Sequence, residues 1–119
     1  MERTKTILHR EKQIICLDFS DCDLEQTRLV MVAGAALIRA QPLSSVLVLS
    51  DFTNTTHDAR LTPELKEFTA GNAPYVKASA SVGVTGMRKI LFDAIMKLTG
   101  RNVPIFDHPD QAKAWLIAQ

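Results

Sequence analysis

The segment that most constrains the fold is residues 45–50, SVLVLS. Its four consecutive apolar residues point alternately to the two faces of an extended strand, so both faces must be covered. That is the pattern of a central strand in a parallel sheet, and the rest of the chain reads as strands alternating with helices around it. Residues 4–8 and 13–19 are short β-prone segments separated by Arg10-Glu11-Lys12, which predicts an opening antiparallel hairpin. Ser20-Asp21-Cys22-Asp23 supplies capping oxygens and negative charge to a helix running to Ala40, whose broad apolar content predicts a mostly buried helix. Thr62-Pro63 reads as an N-cap with proline at the first helical position, and that helix runs to about Ala70, stopped by Gly71-Asn72 and Pro74.

Residues 77–84 alternate strictly. Ala78, Ala80, Val82 and Val84 fall on one face, and Lys77, Ser79, Ser81 and Gly83 on the other. Side chains this small predict close packing of another element against the strand. Thr85-Gly86 opens a third helix, with Met87, Ile90, Leu91, Ala94, Ile95 and Leu98 at helical spacing and Gly100 at its end. Residues 103–106 form a last short strand, and Asp107-His108-Pro109-Asp110 caps a final helix that Trp115 and Leu116 anchor to the sheet. The expectation is one α/β domain, residues 1–119, with right-handed crossovers and a largely parallel sheet.

Composition narrows the function classes. At 119 residues, 46% apolar and 23% charged, the chain has material for one core. Its 14 Lys+Arg against 13 Asp+Glu leave no basic excess for a phosphate backbone, so no nucleic-acid partner is expected. Cys16 and Cys22 have no second pair and no histidine at ligand spacing, which argues against a disulfide framework and a zinc site. The first ten residues lack the apolar stretch of a signal peptide, and the longest near-apolar run, 29–38, is half of the ~20 residues that cross a bilayer. A cytoplasmic protein without an integral membrane segment follows as the expectation.

Ligands of open parallel sheets gather at the carboxyl ends of the strands, which directs attention to the loops at 20–22, 51–60, 85–88 and 107–108. In the 51–60 loop, Asp51, Thr53, Asn54 and Thr55 offer polar contacts; an ordinary self-bonded turn is the plainer reading of the same residues. Thr85, Gly86 and Arg88 bring free N–H groups and positive charge to a helix start, a weak anion site against the plainer reading of Thr85 as an N-cap. Neither a phosphate loop nor a dinucleotide fingerprint is present, and no metal or cofactor is expected. An enzymatic alternative, a small hydrolase or isomerase, would pair His57 with Asp51 or Asp58 as acid and base. Leu29, Val30, Val32, Ala33, Ala36 and Leu37 exceed what one stripe against a sheet requires, which leaves room for a lipid-like ligand or a partner subunit.

The segments SVLVLSDFTNT (45–55), NAPYVKASASVGVTGMRKILFDAI (72–95) and GRNVPIFDHPDQAKAWL (100–116) together resemble the SpoIIAA-like family, small bacterial proteins of the STAS type also compared with the CRAL-TRIO lipid-binding domain. The resemblance runs from about Lys12 to the end. It implies a single five-stranded, mostly parallel sheet with the hairpin at one edge and about four helices. The resemblance by itself does not choose among the roles of the STAS type; the leading reading is a non-enzymatic STAS-type binding or regulatory module that recognises a partner protein, or a small amphipathic or anionic ligand, at the carboxyl edge of the sheet. In the anti-sigma antagonists of the STAS type a serine opening the helix after the central strand is phosphorylated; here that junction reads DFTNTTHDARLTPE and lacks it. Thr53, Thr55, Thr56 and Thr62 are the hydroxyls available instead, and Tyr75 is a further candidate contributor to the ligand edge. A third reading is a structural homodimer with the 23–40 helix as its interface.

Overall fold

The computed structural model describes residues 2–56 and 58–119. The opening hairpin pairs β1 (Thr4–His9) antiparallel with β2 (Lys12–Asp18). Arg10 and Glu11 turn between them at φ 47° and 69°, the pair of positive angles whose twist suits a two-residue hairpin. Next come α1 (Leu24–Arg39), β3 (Val46–Asp51), α2 (Thr62–Asn72), β4 (Val76–Val82), α3 (Met87–Thr99), β5 (Ile105–Phe106) and α4 (Pro109–Ile117). The strands lie side by side in chain order, β2 to β5 parallel and β1 antiparallel. The sheet is therefore mixed, where a mostly parallel one is expected, because so tight a turn as Arg10-Glu11 can join only antiparallel strands.

Sequential order has a second consequence. Every crossover from β2 to β5 steps the same way, so α1, α2 and α3 share one face and only α4, after the last strand, returns across the other. The strand order never reverses, and the crevice that such a reversal opens at a carboxyl edge has no counterpart here.

On the first face Leu17, Phe19, Val30, Ile38 and Val48 are buried; on the second Ile14, Leu47, Leu49, Ala78 and Ala80 meet Ala112 and Leu116 of α4. α1 begins on a full capping box: the Asp23 carboxylate accepts from Gln26 N at 2.8 Å, and Gln26 Oε1 accepts from Asp23 N at 3.0 Å. Gly34 lets α1 lie against β2, since a Cβ there would stand 2.8 Å from Leu17 Cδ2. The helix is not mostly buried as its apolar breadth predicts: Thr27, Val30, Met31, Gly34 and Ile38 face inward, while Leu29 and Val32 are 60% and 71% exposed. Arg28 binds Glu64 at 3.0 Å and Arg39 binds Asn72 Oδ1 at 2.8 Å, tying α1 to α2 at both ends.

Three boundaries differ from expectation. Thr62 is already helical rather than a cap, because a 3-10 turn over Ala59–Leu61, capped by the Asp58 carboxylate, feeds directly into α2. α2 continues through Gly71 to Asn72, where Asn72 meets Arg39. The last strand is only Ile105–Phe106. Among the described residues no helix is long and apolar enough to cross a membrane.

Candidate ligand site

β4 presents small side chains to both faces of the sheet, and the two faces respond differently. Toward α4, Ala78 and Ala80 let the helix approach until Ala112 and Leu116 are fully buried. Toward the other helices, Ser79 and Ser81 fill little volume and offer little apolar surface to draw α3 down. α3 accordingly rests mainly on α2, with Ile95 its one buried residue among those described. What remains between α1, α2, α3 and the sheet is a cavity of about 140 Å³.

Its walls are predominantly apolar. Four of the five phenylalanines line it: Phe19 stacks on Phe52 at 4.8 Å between ring centroids, and Phe68 and Phe92 meet these rings edge-on at 6.4 and 6.5 Å. Such geometry suits the ring quadrupoles. On the sheet side, Ser50 and Ser81 are register partners on adjacent parallel strands, with Ser79 two residues along β4. Their hydroxyls make no hydrogen bond among the described residues. Opposite them, Thr27 of α1 is 2% exposed and its hydroxyl likewise has no partner.

At the carboxyl edge the cavity reaches Arg88. Its guanidinium donates to the Thr55 carbonyl and to Thr85 Oγ1, both at 3.1 Å, and among the described residues it faces no carboxylate within ion-pair distance. The nearby Asp58 carboxyl is held down to about 2 by its hydrogen bonds from Arg60, side chain first and backbone second, so that pair is self-neutralised. Arg101, which follows α3 and precedes β5, lines the cavity from the opposite edge.

The sequence candidates sort accordingly. Thr55, Thr56, Asp58 and Arg88 line the cavity; Asp51, Thr53, Asn54, Thr62, Thr85 and Gly86 do not. Asp51 Oδ1 accepts from both Thr53 N at 2.9 Å and Thr53 Oγ1 at 2.7 Å, the self-bonded turn that is the plainer reading of this loop. Gly83, at φ 75°, passes so close to Thr53 that a Cβ would collide with its backbone. Asn54 lies in the same turn at φ 54°. Thr55 is 9% exposed and its hydroxyl donates to the Phe19 carbonyl at 2.7 Å, a structural pin. Gly86, not Thr85, caps α3, at φ 59°, and Thr85 instead holds Arg88. Tyr75 stands before β4, at the amino rather than the carboxyl edge.

Thr27, Ser50, Ser79, Ser81 and the phenylalanines are absent from the sequence candidates. The available signal is the serine face of residues 77–84, which departs from the apolar face a helix-covered strand ordinarily shows.

His57, the pivot of the enzymatic alternative, lies outside the described residues. Of its proposed partners, the Asp51 carboxylate is engaged by Thr53 and that of Asp58 by Arg60. Burial pushes the thiols of Cys16 and Cys22 up, away from the reactive thiolate. No cluster of three or more metal-ligating side chains exists among the described residues. Comparison of the chain with protein-family models, curated proteins and solved structures gives no match.

Proposed function

We propose that the chain is a non-enzymatic STAS-type binding module that takes a small amphipathic ligand into the cavity under α2 and α3. The observation that carries this reading is an apolar cavity ending at a cation, Arg88, that makes no ion pair among the described residues. Apolar walls supply affinity through removed water-accessible surface, and a few placed polar groups supply orientation. An anionic head at Arg88 would leave its tail among the phenylalanines. The SpoIIAA-like resemblance agrees with a binding role and leaves the ligand open.

Native mass spectrometry of the protein purified without added ligand, set against its denatured mass, tests the reading. An excess native mass that denaturation removes, and that Arg88→Ala diminishes while leaving the melting temperature within about 2 °C, is the expected result. Ligand-free protein that takes up no small molecule from a panel of amphipathic acids would sink it.

A second reading rests on α1. Leu29, Val32 and Ala36 form an exposed apolar stripe, which a second copy or a regulatory partner would cover. A native mass at twice that of the chain, returned to the single mass by Val32→Glu, is its signature.

A further inference from the structure

We infer that the ligand of this cavity is a single-ring aromatic acid carrying a hydroxyl or similar hydrogen-bonding substituent on the ring. The inference rests on the binding reading above and names its chemical class.

Size comes first. A cavity of roughly 150 Å³ lined by Leu, Ile and Phe accommodates benzene, and this one measures about 140 Å³. The enclosed part of the space matches one ring. Wall chemistry then favours aromatic over saturated: Phe19, Phe52, Phe68 and Phe92 already meet one another in stacked and edge-on pairs, and a fifth ring extends the cluster with the same geometry.

Burying a hydroxyl without a partner is unfavourable, and native structures retain few such groups. Here Thr27 Oγ1 is the one fully buried hydroxyl without a partner among the described residues, and Ser50, Ser79 and Ser81 add three cavity-lining hydroxyls that have no protein partner there but are not sealed from solvent. A saturated tail would leave Thr27 Oγ1 without a partner. A ring hydroxyl offers one donor and an acceptor, enough for Thr27 and a neighbouring serine, with the carboxylate turned toward Arg88 at the mouth. Each serine and threonine hydroxyl both donates and accepts, so a phenol is matched in either sense.

The test uses the 119-residue chain, unfolded and refolded to remove bound ligand, titrated calorimetrically with 4-hydroxybenzoate, benzoate and hexanoate. The expected order is 4-hydroxybenzoate tightest, benzoate about tenfold weaker and hexanoate weakest, a hydrogen bond to a buried site setting the first step. Thr27→Val and Ser81→Ala, made separately, remove an unpaired hydroxyl from the empty cavity. Thr27→Val should raise the melting temperature of ligand-free protein by a few degrees, and both variants should reduce the advantage of 4-hydroxybenzoate over benzoate. Opposite signs on stability and binding at Thr27 mark a hydroxyl kept for a ligand.

Hexanoate binding as tightly as either aromatic acid overturns the inference while leaving the binding reading standing. So does an advantage of 4-hydroxybenzoate that neither variant reduces. If none of the three acids binds, the inference falls, and the retained mass in the native spectrum then decides the broader reading by itself.

Discussion

The two faces of β4 are built from adjacent residues and behave as opposites. Ala80 faces α4, where a methyl group lets the helix close until nothing is left between them; Ser81 faces α3, where a hydroxyl of similar bulk leaves room. The difference shows that small side chains do not by themselves bring layers together. An apolar methyl presents surface that a helix gains by covering, whereas a hydroxyl must first be given a partner. One face became core and the other became a cavity.

The most severe way to break the comparison is to remove the anchor of the closed face. Leu116 is fully buried against β3 and β4, and Leu116→Ala should cost about 3 kcal/mol, within the range for leucine truncations in cores. Urea unfolding measures it, and a loss below about 1 kcal/mol would mean that α4 is as loosely docked as α3. The sharper comparison is one substitution made on each face. Ala80→Val adds volume where none is free and should destabilise by about 1–3 kcal/mol. Ser81→Val, one residue later, adds volume to a cavity and removes an unpaired hydroxyl, so it should be neutral or stabilising by up to about 1 kcal/mol. Equal losses from the two would erase the distinction between the faces. Hydrogen exchange offers a third view without mutation: amides of α3 should open at lower free energy than those of α4, because α3 buries one residue fully and α4 buries two in fewer turns.

Much of this architecture is legible in local chemistry. The capping residues ending at Asp23 announce the start of α1, Pro109 marks the start of α4, and the doubly apolar 45–50 segment names the central strand. These are signals within a few residues of the feature they fix. The site is different, because it depends on which strands become neighbours and in what register. Ser50 and Ser81 are 31 positions apart in the chain, and only the parallel pairing of β3 with β4 places them side by side. Thr27 joins them only because α1 and α3 share a face, which follows from a strand order that periodicity does not encode. Of the residues in the carboxyl-edge loops, Thr55, Thr56, Asp58 and Arg88 border the cavity, while Thr27 and the serines of its interior lie outside those loops. The same ambiguity governs α1: its apolar residues run nearly all round, and the side left bare at Leu29 and Val32 is chosen by where β2 and α2 lie.

The smallest effect belongs to the Asp58–Arg60 clasp, which caps the turn leading into α2 at the edge of the open face. Its carboxyl titrates at about 2 in the folded chain against 3.8 for the free group, held down by Arg60. A depressed folded value means the contribution is complete above about pH 4 and drains away as the pH falls toward 2. Asp58→Asn removes the charge at every pH. Wild type should therefore melt slightly above the variant at pH 6, and the gap should close between pH 4 and 2, where the wild-type carboxylate is itself protonated. The clasp is exposed to solvent, so the gap is expected to be small and to shrink further in high salt. Because Asp58 borders the cavity and not α4, acid should also speed exchange of the first-turn amides of α2 before it touches those of α4. Simultaneous loosening of both would show that the two faces melt as one unit, and would place the cavity inside the cooperative core.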